Sequence, residues 1–262
     1  MKASKAKVYS KILMVLFFLL FYAPLLSIII FSFNDAKSVT HWGGFTLSWY
    51  KELFTDMRVV GIILNTVLIA VISTIVSVII GSIAAICLTK QRKKIRNLIL
   101  QGNNLPIMNP DIVTAIGLLL LFVSIKVERG YITMLFAHIS FCTPYVIVTV
   151  YPKVKALDPN ILEAALDLGA KPLRAIRTAV LPQIKSTIFA AGAIAFTMSF
   201  DDFVISYFTG GSKLNISTYL YTEAKKINPT INALSTIIMI IIVIKVVFDK
   251  VRESRRKNRE EI

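Results

Sequence analysis

The sequence predicts an all-α membrane protein of six transmembrane helices, on three observations. The 262 residues are 55% hydrophobic and 17% charged, with a mean hydropathy of +0.69; an average soluble domain carries about 25% charge. Six apolar segments are each long enough to cross a bilayer core of about 30 Å, which takes about 20 helical residues. They cover 12–33, 60–88, 98–125, 131–151, 184–208 and 232–249. The lysines and arginines behind the net charge of +15 fall in blocks between these segments, on alternate sides. That pattern argues for topology signals and attraction to anionic lipid. It argues against nucleic-acid binding, because no soluble domain is left to present such a surface.

The first segment follows a basic start, as a signal peptide would. It is too long for a signal h-region, contains Pro24 and lacks a small-residue cleavage pattern, so it reads as a retained span. The blocks Lys2–Lys11, Lys90–Arg96, Lys153–Lys185 and Lys250–Arg259 hold 21 basic residues. The opposing loops hold 8, among them Lys225 and Lys226. The excess places both termini and the long loop 152–183 in the cytoplasm. The tail 250–262 is expected to be solvated and partly disordered, and 1–262 reads as one membrane domain. Cys87 and Cys142 lie in apolar runs and read as buried thiols; neither His41 nor His138 belongs to a metal-ligand cluster.

The third segment is interrupted by Asn103-Asn104-Leu105-Pro106 and by Asn109-Pro110-Asp111. Asparagine before proline reads as a helix start, with Asn109 as N-cap and Pro110 at the first position. A helix from Asp111 to Ile125 rises about 22 Å, which sets Asp111 inside the bilayer at the head of a half-helix. Broken backbone at that depth must be covered by protein or line a water-filled cavity, as in transporter pathways.

In loop 152–183, Asp158 can cap a helix opened by Pro159, with Ile161, Leu162, Ala165 and Leu168 as its apolar stripe. Gly169 is placed to end it in a left-handed turn. Pro172 opens a second short helix with Leu173, Ile176 and Val180 on one face and Arg174 and Arg177 on another; Pro182 then precedes the fifth span. Beside Glu163, the small residues Ala164 and Ala165 allow close approach by another protein. An amphipathic helix lying on lipid fits the same pattern, and the residues alone leave the two open.

Glu163-Ala164-Ala165-x-x-x-Gly169, then nine residues and Ala179-Val180-Leu181-Pro182, resembles the EAA loop of permeases from binding-protein-dependent ABC importers. Ala179 stands where that pattern usually has isoleucine. The resemblance implies the type I ABC importer permease fold, and a loop that docks on a cytoplasmic ATPase through Glu163, Ala164, Ala165, Gly169, Leu181 and Pro182. It implies a bacterial plasma-membrane location. Further motifs resemble the PotC-type spermidine/putrescine branch: Trp42–Tyr50, Pro110-Asp111-Ile112-Val113, His138–Tyr145 and Ser199-Phe200-Asp201-Asp202-Phe203. The implied partners are a second, PotB-like permease, two copies of a PotA-like ATPase and a PotD-like extracytoplasmic polyamine-binding protein.

Three acids lie within the apolar segments. An ionisable side chain at mid-bilayer costs about 2.5–3.5 kcal/mol on insertion scales and signals function or a partner. Asp111, Asp201 and Asp202, with the Phe203/Tyr207 pair one helical turn apart, are the candidate pathway residues. Carboxylates can pair with the ammoniums of a polyamine, and aromatic faces attract cations and cover methylenes. On one continuous helix Asp201 and Asp202 point about 100° apart and cannot face the same way. The alternative is that they cap a helix end near the outer surface. Trp49 and Tyr50 read as interfacial anchors; Glu128 and Glu223 fall in external loops. The sequence contains no G-x-x-x-x-G-K-[ST] loop, so ATP and its magnesium are expected on the partner ATPase. No catalytic or metal-binding arrangement is expected. The rival readings are a permease for another organic cation or for an anion such as sulfate, a channel or secondary carrier, and a scaffold without transport.

Overall fold

The computed structural model describes residues 2–38, 40–158, 160–224 and 228–260. The expected helix start at Pro159, the loop lysines Lys225 and Lys226 and the end of the tail at 261–262 lie outside the described residues. Every element found is helical, apart from one isolated bridge between Asn34 and Phe45. Among the described residues, five helices are long and apolar enough to cross a membrane: Ser10–Phe31, Met57–Thr89, Tyr131–Lys155, Pro172–Phe200 and Pro229–Phe248. A sixth span forms if Lys93–Met108 and Asp111–Ser124, bent by 104°, count as one.

Helix contacts divide the chain into two compact units, Met1–Val60 with Leu220–Ile262, and Gly61–Tyr219. In the first, α1 (Lys2–Phe31) and α2 (Ser48–Thr55) each pack on α12 (Pro229–Glu260). The apolar side chains of α1 from Ile12 to Tyr22 face outward, as a lipid-facing helix requires. The loop after α1 is organised by Asn34. Its buried amide donates to the carbonyls of Ser38 and His41 and accepts from the N–H groups of Ala36 and Gly43. Trp49, expected as an interfacial anchor, is buried, and its indole donates to the Asn34 carbonyl at 2.7 Å. Tyr50 pairs with Ser32 at 2.7 Å. Glu223, expected in a loop, is buried within α11 (Ile216–Ala224). Helix α12 runs on to Glu260, so residues 250–260 of the expected solvated tail continue a helix.

The second unit centres on α6 (Tyr131–Lys155) and α9 (Leu181–Phe200), its most closely associated helices. Fully buried Ala85, Ala115, Ala137, Ala191 and Ala195 lie in its core. Small residues let helix backbones approach where lipid supplies no hydrophobic drive to associate. Gly81 of α3 (Met57–Thr89) shows how tight the fit is, since a Cβ there would lie 2.7 Å from Val146 Cβ. We expect Gly81→Ala to lower stability by about 1–3 kcal/mol, the usual cost of overpacking, read as a lower apparent melting temperature in detergent. Cys142 is buried, whereas Cys87 is exposed on α3; in a membrane an apolar run need not face the interior.

Two expected boundaries shift. The third span breaks between α4 (Lys93–Met108) and α5 (Asp111–Ser124), but Pro110 rather than Asn109 takes the N-cap position, with no side-chain cap. Asn109 is extended at ψ 145°, as the residue before proline must be, so its side chain is one position too early. The second helix of loop 152–183 does not stop before span five. It runs from α8 (Pro172–Ala175) through a π turn (Ile176–Val180) into α9. Pro182 cannot donate within the helix, and its ring crowds the carbonyl four residues back. The wider turn accommodates it, with Leu181 N–H bonding five residues back to Ile176.

Candidate functional site

Helix α7 (Asn160–Asp167) is held to the second unit by its inner face. Ile161, Leu162 and Ala165 are half-buried, and Leu162 packs against the core cluster. Leu168, the fourth residue of the expected stripe, is 89% exposed, because the helix ends one residue earlier. Gly169 has φ +83° and open space around its missing Cβ. Its N–H bonds to Leu166 O at 2.8 Å, and Ala170 N–H to Ala165 O at 3.1 Å. This is the paired bonding of a Schellman turn, whose left-handed residue favours glycine. The turn leaves Glu163, Ala164, Leu166 and Leu168 facing outward, with Arg174 and Arg177 exposed beyond it and Pro182 exposed. Leu181 packs inward against the core.

The fifth span is not one helix to residue 208. Helix α9 ends at Phe200, residues 201–203 are non-helical, and α10 (Val204–Thr209) follows. The different directions of Asp201 and Asp202, expected from an offset of about 100° on one helix, arise instead at a chain break. Asp201 is exposed; the Asp202 side chain is 9% exposed and turned into the protein. The Asp202 carboxylate accepts from the N–H groups of Ile205 and Ser206 at 3.2 and 2.7 Å, and from the Ser206 hydroxyl at 2.8 Å. It thus caps the start of α10. The carbonyls released by the break are also met: Ser217 Oγ donates to Asp201 O at 3.0 Å and Asn215 Nδ2 to Asp202 O at 2.6 Å. A buried backbone carbonyl left without a partner costs free energy, so Asn215, which meets the Asp202 carbonyl, helps the break persist.

His138, which in the sequence stands only as the first residue of the His138–Tyr145 motif with no role of its own, lies at the centre of this cluster. It is 1% exposed, with Nδ1 2.6 Å from Ser199 Oγ, Nε2 2.9 Å from Ser206 Oγ and Nε2 3.5 Å from Asp202 Oδ2. Ser199 also meets Ser73 of α3 at 2.9 Å. Hydrogen-bond donors around Ser206 place a hydrogen on one ring nitrogen. Ser206 gives its one hydroxyl proton to Asp202 and receives Asn215 Nδ2 at 2.8 Å. The His138 nitrogen facing it must therefore carry the hydrogen. The signal in the sequence was an ionisable ring inside the apolar run 131–151, which carries the same implication as the three acids.

Phe203 and Tyr207 pair with ring centres 5.5 Å apart and planes tilted by 34°, and Phe203 follows exposed Asp201 by two residues in the chain. Asp111 is exposed at the head of α5. An exposed carboxylate at a helix break, with aromatic faces beside it, can attract a cation and cover its apolar portions. Among the described residues no group of three His, Cys, Asp or Glu could hold a metal ion.

A family model described as "Binding-protein-dependent transport system inner membrane component" matches residues 77–253, which include both α7 and the break after Phe200. The chain is 36% identical over 243 residues to the putrescine transport system permease protein PotI of Escherichia coli strain K12, covering 87% of this chain and 84% of that one. It is 35% identical over 228 residues to the spermidine/putrescine transport system permease protein PotC of the same strain, covering 86% of each. The PotC homolog of Mycoplasma genitalium is 34% identical over 258 residues, covering 93% of this chain and 90% of that one. Among solved structures, a bacterial ABC transporter involved in import of the acidic polysaccharide alginate superposes with TM-score 0.69 at 17% identity. The match covers 97% of this chain and 96% of that one. The MetNI methionine transporter, facing inward, gives TM-score 0.61 at 16% identity, covering 76% and 96%. At such identities the shared feature is the fold.

Proposed function

Because the chain belongs to the family of binding-protein-dependent transport system inner membrane components, we propose that it is the polyamine-conducting permease subunit of an ATP-driven importer and forms half of the translocation pathway. As a member of that family it is a multi-pass plasma-membrane protein and a non-catalytic transport subunit. The observation that carries the cargo is the exposed carboxylate of Asp201, set in a helix break two residues before Phe203, the first ring of the Phe203–Tyr207 pair. The names of the PotI and PotC relatives support the same cargo. Asp111, exposed at a second helix break, is a further pathway carboxylate in this reading.

The excess of basic residues on the α7 side supports cytoplasmic termini and a cytoplasmic α7. There Glu163, Ala164, Ala165, Gly169, Leu181 and Pro182 form the surface, and its support, against which an ATPase docks. That ATPase holds ATP and magnesium. The remaining partners are a second permease, a second ATPase copy and an extracytoplasmic polyamine-binding protein. ATP-driven closure of the ATPase pair moves this surface and turns the pathway from one side of the membrane to the other.

Uptake of radiolabelled putrescine by the reconstituted complex tests the cargo. Asp201→Asn keeps the shape and removes the charge. The half-saturation concentration is expected to rise about tenfold, the equivalent of about 1.4 kcal/mol. An unchanged value would remove Asp201 from the pathway. Full competition by sulfate, with none by spermidine, would overturn the polyamine reading.

A further inference from the structure

We propose that His138 is a positioning residue for cation translocation: it braces both sides of the break in span five and so fixes where Asp201 is presented. The inference rests on the reading of Asp201 as a pathway carboxylate. One imidazole spans the break, its Nδ1 facing Ser199 at the end of α9 and its Nε2 facing Ser206 in the first turn of α10. Both serines are 1% exposed, as is the ring. A helix end followed by three non-helical residues can swing about its free dihedrals. Here the angle is set by a ring on a third helix, α6, which has no such break and packs closely on α9.

The brace is anchored outward on both sides. Ser199 leans on Ser73 of α3. Ser206 is shared with Asp202 and with Asn215, whose amide is fully used: Nδ2 donates to Asp202 O and Ser206 Oγ, and Oδ1 accepts from Thr218 N–H and its hydroxyl. Ile216 N–H, next in the chain, bonds to Thr66 Oγ1 of α3 at 2.9 Å. The Asp201 carboxylate takes no part in this network; its backbone is held at both ends, its N–H by Thr197 O and its carbonyl by Ser217. The network therefore grips the residues on either side of Asp201 and leaves its charge to the pathway. Binding groups must be held to within about 0.5 Å by such supporting contacts to keep their affinity.

The test uses the complete complex of permeases, ATPase and binding protein, with radiolabelled putrescine uptake in proteoliposomes measured across concentration. For His138→Ala we expect the half-saturation concentration to rise about tenfold, the loss of one well-placed polar contact, with a smaller change in the saturated rate per assembled complex. His138→Gln, which can restore one of the two contacts, is expected to recover most of that shift. A role in folding alone would lower the amount of complex and leave the half-saturation of the remainder where it was. That outcome overturns the proposal. Where His138→Ala gives no assembled complex, Ser199→Ala decides, because it releases the α9 side and spares the Asp202 cap. A rise of roughly threefold or more supports the brace, and an unchanged value overturns it. Asp201→Asn measured alongside separates the two readings: if it has no effect while His138→Ala does, the brace stands and positions another group.

Discussion

Gly169→Val is expected to cut ATP-driven uptake by about tenfold or more, while the permease still reaches the membrane and binds its partner subunits. The backbone at Gly169 has φ +83°. A left-handed conformation costs an ordinary residue about 1–2 kcal/mol, and a β-branched one more. No atom lies within 4 Å of the site where a Cβ would go, so the penalty falls on the turn and not on the core. The chain can relieve it by undoing the two turn hydrogen bonds from Gly169 and Ala170, which reorients the exposed Glu163 face relative to α8. Uptake per assembled complex, measured with ATP hydrolysis in the same proteoliposomes, checks this. Hydrolysis that persists while uptake falls is the expected signature of lost coupling. Normal uptake would show that the turn plays no part in it.

Asp202→Ala is expected to have the largest effect on stability. It removes a helix cap, worth about 0.5–2 kcal/mol. It also leaves the Ser206 hydroxyl proton without its buried acceptor, at about 1–3 kcal/mol. Together these give a loss of about 1.5–5 kcal/mol, or a fall of roughly 3–20 °C in apparent melting temperature for a chain of this size. Thermal unfolding in detergent, followed by size-exclusion chromatography, reads it. A melting temperature within a degree or so of the parent would mean that the inward carboxylate carries little of the α10 start.

How far the sequence revealed this architecture depended on whether the signal was local. Gly169, the proline at 172 and the apolar residues at 161, 162 and 165 act within one or two turns, and the helices around them were legible. The α4–α5 break was also legible, because Pro110 interrupts hydrogen bonding wherever it sits. The break after Phe200 was not. Ser199-Phe200-Asp201-Asp202-Phe203 contains no glycine or proline; where the helix stops, Asn215 and Ser217 meet the freed carbonyls and His138 bonds to serines on either side. Those partners lie between 13 and 68 residues away along the chain. Pro182 misled in the opposite sense: it read as a boundary, but a π turn carries the helix past it. Cys87 shows a third limit, since hydropathy separates apolar from polar but does not separate lipid-facing from core-facing.

The unbroken path from Pro172 to Phe200 has a mechanical consequence. Twenty-nine helical residues make a shaft about 43 Å long at 1.5 Å per residue. Its near end carries the α7 turn and its far end stops at Asp201. For a shaft of that length, a tilt of about 10° at one end displaces the other by about 7 Å, more than the length of an ammonium-to-carboxylate contact. Under the proposed coupling, small rotations at the loop are geared up at the carboxylate, and the π turn at Ile176–Val180 lies on the path between them.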